Sequence, residues 1–136
     1  MKKFILLLII ISGLISCNSE NDIDLDPIVG SWKIKSILYG NKEIYLTDEC
    51  NIKSSITFLN DNSIFESNFH KDIKGECVNF EKKYNWINLG KSIYQFGNEE
   101  FKIEFSNNNQ THKITTEIID IITNEEVTTI ITYSKI

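Results

Sequence analysis

From residue 29 to the end of the chain, apolar and polar side chains alternate in short runs, and almost no stretch has helical periodicity. Clusters of Asn, Asp and Gly separate runs rich in Ile, Thr, Phe and Tyr, which is typical of antiparallel β structure. The first run places alternate residues from Trp32 to Leu38 on one face, against Lys33 and Lys35 on the other. The pattern predicts eight strands, at residues 31–38, 52–59, 64–70, 80–87, 92–96, 100–105, 112–122 and 127–135.

Most of these strands are joined by short turns. Segments 60–63, 88–91 and 97–98 contain Asn, Asp or Gly residues, which favour turns. The connections 39–50 and 71–79 are the longest. A meander without crossover helices is most stable when it closes, because closure removes both exposed edges. We therefore predict an all-β fold, an eight-stranded antiparallel up-and-down barrel, with a flattened two-sheet sandwich as the alternative.

The alternation also selects the side chains that would face the interior of such a barrel. Core packing is favoured over ligand contact for each of them, because most are bulky. The candidates are Trp32, Ile34, Ile56, Phe58, Phe65, Phe69, Trp86, Phe96, Phe101, Ile103, Phe105, Ile114, Ile118, Ile131 and Tyr133.

The first 27 residues follow a different pattern. Two lysines precede the apolar run 4–11, which is too short for the roughly 20 residues of a membrane-spanning helix. Small residues then precede Cys17, so residues 1–16 are predicted to be a cleaved signal peptide. Residues 17–27 are polar and acidic and end at the only proline, which indicates a linker. The β domain is expected at residues 28–136.

The tetrapeptide Leu14-Ile15-Ser16-Cys17 resembles the lipobox of bacterial lipoproteins. The resemblance implies that Cys17 is lipidated and becomes the acylated N-terminus, which anchors the protein to a membrane. It also implies a location in the cell envelope, at the periplasmic face or the outer surface of the outer membrane. The alternative is an ordinary secretory signal that leaves Cys17 as a free thiol.

Charge excludes one class of partner. The whole chain has a formal net charge of −5, and cleavage would leave 12 basic against 19 acidic residues, a net charge of −7. The lysines are scattered and there is no arginine, so no basic surface for nucleic acid is expected.

The remaining cysteines form an even pair. Exported proteins meet an oxidising compartment, where paired thiols usually form disulfides. With Cys17 assigned to lipid, we predict a Cys50–Cys77 disulfide. Two buried free thiols are the alternative, and a metal site is not expected because further clustered ligands are missing.

Gly30-Ser31-Trp32 resembles the Gly-x-Trp motif of lipocalins, in which the glycine allows a close backbone approach and the tryptophan plugs the closed end. The hairpin at 56–61, the cysteines on either side of it and Tyr84-Asn85-Trp86 before Gly90 occur in an order similar to bacterial lipocalin-like domain lipoproteins. Lipocalins also carry a late arginine that packs on the tryptophan, and this sequence has none, so that either Lys135 or no residue fills that role here. They are longer and commonly have a C-terminal helix, so their ligand specificity is not transferred.

The resemblance implies a membrane-anchored binder of a small hydrophobic molecule. A cavity would open at the end that carries the connection 39–50, because Trp32 and short turns close the other end, and the disulfide would brace that opening. The expected ligand contacts are Tyr45, Leu46, Phe58, Phe65, Phe69, Trp86, Phe101 and Phe105. The second hypothesis is a structural or protein-interaction lipoprotein with a filled barrel and no ligand.

The sequence contains few candidate catalytic residues. His70 and His112 are the only histidines, and each is expected at a solvated strand end beside a lysine. Asp48 and Glu49 beside Cys50 are the most suggestive carboxylates, and the acidic linker lacks the pattern of a calcium-binding loop. We expect no cofactor and no enzymatic activity.

Overall fold

The computed structural model describes residues 25–136. The predicted signal peptide, Cys17 and the linker as far as residue 24 lie outside the described residues. Within the described part of the chain, no helix is long and apolar enough to cross a membrane.

Nine strands and one short 3₁₀ helix make up the described chain. The helix is Asn51–Lys53. The strands are β1 (Gly30–Tyr39), β2 (Lys42–Ile44), β3 (Ser55–Phe58), β4 (Ser63–Lys71), β5 (Cys77–Gly90), β6 (Ile93–Phe96), β7 (Glu99–Ser106), β8 (Thr111–Ile119) and β9 (Glu126–Lys135).

All neighbouring strands pair antiparallel, in the order β2-β1-β3-β4-β5-β6-β7-β8-β9, and β1 also pairs with β9. That last pairing closes β1 and β3–β9 into an eight-stranded up-and-down barrel, which confirms the predicted fold. Strand β2 is not one of the eight barrel strands, because it pairs only with the part of β1 that lies beyond the residues paired with β3.

Several strand boundaries differ from the prediction. The run expected to start at residue 52 begins at Ser55, because Asn51–Lys53 forms the 3₁₀ helix. The strand expected to end at residue 122 stops at Ile119. Asp120 ends it, since its Oδ1 accepts hydrogen bonds from the backbone N–H groups of residues 122 and 123.

A β-bulge in β1 reverses the faces of its second half. Ile34 pairs with Tyr133, but the register then shifts between Ile34 and Ser36, so that Ile37 lies opposite Ile131. The prediction that alternate residues from Trp32 to Leu38 share one face was therefore wrong beyond the bulge. Leu38 is 36% exposed on the outer face.

An aromatic core fills the end of the barrel at which β1 begins, which we call the closed end. Short turns at 59–62, 90–92 and 107–110 lie there. Asn107, Asn108 and Asn109 all have positive φ, a conformation that Asn tolerates. The buried core residues are Ile28, Trp32, Phe58, Ile64, Trp86, Tyr94, Phe96, Ile103 and Ile114.

Trp32 lies at the base of this core and is fully buried. Its indole Nε1 donates a hydrogen bond of 2.7 Å to the carbonyl oxygen of Ile28, which fixes the chain ahead of β1 across the end of the barrel. The Lys135 ammonium lies 5.2 Å from the centre of the Trp32 ring. Lys135 thus occupies a position on the tryptophan comparable to that expected for the missing arginine.

Gly30 makes room for that lysine. Its φ is +133°, and a Cβ atom on its backbone would lie 2.5 Å from Cε of Lys135. Any other residue would meet both backbone strain and this contact.

Asp26 ties the end of the linker to the closed end. Its Oδ1 accepts hydrogen bonds from the Tyr94 hydroxyl at 2.9 Å and from the Ile28 N–H at 3.0 Å, and its Oδ2 accepts one from the Asn88 amide. Asp26, which was predicted to belong to the linker, is therefore fixed against the barrel.

His112 corrects another prediction, because it is only 1% exposed and lies inside the closed end. Its ring stacks on Tyr133 with centroids 4.7 Å apart and meets the edge of Trp32 at 4.3 Å. Neither ring nitrogen has a hydrogen-bond partner among the described residues. Burial lowers the pKa of His112 to about 4, so the imidazole is neutral at pH 7. His70, in contrast, is exposed as expected.

The depressed pKa of His112 predicts a pH-dependent stability. As the pH falls below the ordinary histidine pKa of 6.5, the unfolded chain binds a proton that the folded barrel accepts only near pH 4. Stability is therefore lost as the pH falls from about 6.5 to about 4, with about 2 kcal/mol lost between pH 7.5 and pH 5. The free energy of unfolding in urea, measured at both pH values, should therefore fall by about 2 kcal/mol less in His112→Phe than in the wild type.

The matched control is His70→Phe, which changes the exposed histidine and should keep the wild-type pH dependence. An unchanged pH dependence in His112→Phe would contradict the assignment.

Candidate functional site

The end opposite the aromatic core carries the longer connections, and we call it the open end. The segment between β1 and β3, the β4–β5 loop at 72–76, the Gly97-Asn98 turn and the β8–β9 loop at 120–125 lie there. This is the end at which the sequence predicts a cavity.

A cavity of about 480 Å³ lies inside the barrel towards this end. Its walls come from the inner faces of β3 to β9, and Gly97 and Asn98 lie at its mouth. The lining residues are Ile56, Glu66, Lys82, Tyr84, Phe96, Gly97, Asn98, Glu99, Phe101, Ile114, Thr116, Ile131 and Tyr133. A smaller hollow of about 50 Å³ shares Ile56, Glu66 and Tyr133 with it and reaches Trp32.

Strand register explains why a carboxylate faces this interior. Ile64 of β4 is fully buried in the core, and period-two alternation then places Glu66 on the same inner face. Glu66 lies directly opposite Lys82 of β5, and Ile64 lies opposite Tyr84. The three polar side chains therefore form one group on the inner wall.

Within this group, the Tyr84 hydroxyl donates a short hydrogen bond to Oε1 of Glu66. The Lys82 ammonium lies 5.0 Å from the centre of the Tyr84 ring, in cation–π geometry. Tyr84 thus contacts both charged neighbours, one through its hydroxyl and one through its ring face.

The two tyrosines of the cavity are held in the protonated form. Burial, the hydrogen bond to Glu66 and the charge of Glu66 raise the pKa of Tyr84 far above its ordinary range. Burial, followed by the charge of Glu66, raises the pKa of Tyr133 to about 12. Both phenols are therefore neutral at physiological pH, and the Tyr84 hydroxyl proton is engaged by Glu66.

The expected ligand contacts divide into four groups, and among them only Phe101 lines the cavity. Phe58 and Trp86 are buried in the closed end, and Phe105 packs against that core. Phe65 and Phe69 lie on the outer face, one residue out of phase with Glu66, and Phe65 is 42% exposed beneath Lys83.

The two residues expected at the opening lie elsewhere as well. Tyr45 is 68% exposed, and its hydroxyl donates a hydrogen bond to Glu43. Neither Tyr45 nor Leu46 lines the cavity.

Sequence reasoning identified the apolar part of the cavity but missed its polar group. Ile56, Phe96, Ile114, Ile131 and Tyr133 were all expected to face inwards, and all line it. Glu66 was missed because adjacent Ile64 and Phe65 allow two phases for β4, and the aromatic residues were assigned inwards. Lys82 is in phase with Trp86 on β5 and was missed because only apolar and aromatic side chains were assigned to the interior. Directly opposed, oppositely charged residues on neighbouring strands were the available signal.

The predicted Cys50–Cys77 disulfide is present and lies at the open end. It joins the residue before the 3₁₀ helix to the first residue of β5. Oδ1 of Asp48 accepts a hydrogen bond from the Cys50 N–H, and its Oδ2 lies 3.1 Å from the Lys71 ammonium. The Cys50 N–H, followed by Lys71, lowers the pKa of Asp48, so this carboxylate is engaged in holding the loop.

In the part of the chain that the structure describes, no group of three His, Cys, Asp or Glu side chains is placed to hold a metal ion.

No family model matches the sequence, and no curated protein matches it. Among solved structures, similar chains include the siderocalin Ex-FABP (14% identity, 82% of this chain and 75% of that one, TM-score 0.47). Odorant binding protein OBP1 has 14% identity over 83% and 75% of the two chains, with a TM-score of 0.46.

A third similar structure is the possum milk whey lipocalin trichosurin with bound 4-ethylphenol (10% identity, 77% and 73% of the two chains, TM-score 0.44). In this chain the pairing of β1 with β9 closes the sheet into a barrel.

The position of the disulfide predicts a sizeable stability loss on its removal. The bond links residues 27 apart in sequence, for which loop-closure entropy gives about 3 to 4 kcal/mol. Urea unfolding of the double variant Cys50→Ala/Cys77→Ala should show a loss of that order.

Dithiothreitol provides the control for this measurement. It should lower the unfolding midpoint of the wild type towards that of the double variant and leave the variant unchanged. A wild type that is insensitive to reduction would contradict the prediction.

Proposed function

We propose that the protein is a membrane-anchored, lipocalin-like lipoprotein that binds a small, mainly apolar molecule in the cavity at the open end of its barrel. The observation that carries this proposal is the cavity itself. Its volume of about 480 Å³ lies within the range of roughly 300 to 1,000 Å³ that is usual for ligand pockets. A filled barrel, which the alternative structural role requires, would leave no such space.

The lining of the cavity supports the same role. Ile56, Phe101, Ile114 and Ile131 supply apolar surface, while three charged residues, two tyrosines, an asparagine and a threonine supply polar groups. Small-molecule sites combine apolar walls with polar groups that orient the ligand.

The position of Asp26 is compatible with access to the cavity. Asp26 is bonded to the closed end, so the first described residues lie at the end of the barrel away from the mouth of the cavity and do not cover it.

A role in binding without catalysis is part of the proposal. Neither described histidine lines the cavity, because His112 is enclosed in the closed end and His70 is exposed at the end of β4, beyond the lining residues. Asp48 and Asp61 accept hydrogen bonds from backbone groups in turns. Localisation at the outer membrane follows from the lipobox resemblance and belongs to the same proposal.

Blocking the cavity tests the binding role. Thr116 lines the cavity, whereas its neighbour Thr115 is exposed on the outer face of the same strand. We expect 4-phenylbutanol to bind saturably to the wild type and to Thr115→Trp, and to lose saturable binding in Thr116→Trp, because the indole would fill the site. Calorimetric titration of the acylated protein in nanodiscs of zwitterionic lipid measures this.

Partition of the probe into lipid is the same for all three proteins, so only cavity binding separates them. Equal titrations of the three proteins, or no binding to any of them, would contradict the proposal. Native mass spectrometry of protein purified from its own membrane would add the mass of any molecule that remains bound.

A further inference from the structure

Glu66 occupies a special position within the cavity. It lines both the large cavity and the small hollow that reaches Trp32, and no other charged residue lines both. Lys82 and Glu99, the other charged residues of the lining, are exposed, whereas Glu66 is half-buried. A ligand that enters the barrel therefore meets the carboxylate of Glu66 on the inner wall.

The charge of Glu66 is incompletely compensated by the protein. Among the described residues, Glu66 accepts one side-chain hydrogen bond, from the neutral hydroxyl of Tyr84. Lys82 lies opposite in the register, but its ammonium is over the Tyr84 ring and forms no ion pair with Glu66 within 4.0 Å in the described chain. The carboxylate thus retains capacity for a further donor, since it has about four acceptor positions.

The surroundings favour a cation beside this carboxylate. Phe96 and Phe101 lie with ring centroids 5.2 Å apart, and Tyr84 and Tyr133 complete an aromatic wall. The faces of aromatic rings attract ammonium groups, and the attraction is stronger where water is displaced. The charge of Glu66 already acts on both tyrosines, because it contributes to raising the pKa of each.

We propose, on the basis of the binding role above, that the ligand carries a positively charged amino group on an apolar body, and that this group pairs with Glu66 within the aromatic wall. The apolar body then lies against Ile56, Ile114 and Ile131. Glu66 selects the ligand class, and the cavity volume limits its size.

An anionic ligand fits the same cavity less well. Two carboxylates, Glu66 and Glu99, line it against the single ammonium of Lys82. That ammonium is exposed and already lies against the Tyr84 ring. An anion on the inner wall would face Glu66, and two like charges close together in a partly desolvated site repel each other strongly.

Three probes with the same apolar body and different head groups test the proposal: 4-phenylbutylamine, 4-phenylbutanol and 4-phenylbutanoate. Each is titrated by calorimetry into the acylated protein in zwitterionic nanodiscs, with Thr116→Trp as the blank for lipid partition. In the wild type, we expect the amine to bind roughly tenfold more tightly than the alcohol, the increment of one charge-assisted hydrogen bond, and the carboxylate to bind most weakly.

Glu66→Gln removes the charge but keeps an acceptor for the Tyr84 hydroxyl. In this variant the affinity for the amine should fall to within about twofold of the affinity for the alcohol, and the affinity for the alcohol should be retained. Glu100→Gln is the matched control, because it removes the same charge from the outer face, where Glu100 lies opposite Gln95. It should keep the wild-type preference for the amine.

Outcomes that overturn this inference differ from those that overturn the binding role. Equal wild-type affinities for amine and alcohol, tightest binding of the carboxylate, or an amine preference that persists in Glu66→Gln would each overturn the inference and leave the cavity as a binding site. Failure of all three probes to bind would overturn both. If Glu66→Gln does not fold, the wild-type ranking of the three head groups decides alone.

Discussion

The backbone hydrogen bonds between β1 and β9 are the interaction on which the rest of the structure depends. They join the first and last long strands of the described chain, from Trp32 opposite Lys135 to Tyr39 opposite Thr129. Without them the protein would be an open sheet with two exposed edges and no interior. With them, every second side chain of eight strands faces an enclosed space, which the protein fills at one end and leaves empty at the other.

The two ends differ in how densely they are filled. At the closed end, Trp32, Phe58, Trp86 and Tyr94 pack together, and Asp26 and Lys135 fix the chain termini of the described domain against them. At the open end, Thr116 and Gly97 contribute small side chains or none, while a disulfide holds the longest connection. The cavity can persist because the closed end, the backbone hydrogen bonds between strands and the disulfide stabilise the barrel, so that its interior need not be packed uniformly.

The sequence predicted the number of barrel strands and the disulfide because both depend on local pattern or pairing. It did not predict the phase of each strand. In β4, Ile64 and Phe65 are adjacent and both apolar, so alternation alone could not show that Ile64 enters the core and Glu66 the cavity. In β1, a single bulge after Ile34 exchanged the faces of the residues that follow. Such phases are set by closure of the whole barrel, which no single strand encodes.

His112 at the closed end and Glu66 at the cavity are polar groups in two different environments of the same barrel. His112 is enclosed by aromatic rings and has no hydrogen-bond partner among the described residues, and burial lowers its pKa to about 4, so the barrel holds it without charge at pH 7. Glu66 is half-buried beside an accessible cavity, and one tyrosine hydroxyl is its side-chain partner. A carboxylate in such a place stabilises a barrel poorly, since its desolvation is only partly offset. An apolar residue at position 66 would pack the cavity wall at lower cost, and the proposed pairing of Glu66 with an amino group of a ligand would account for a carboxylate at this position.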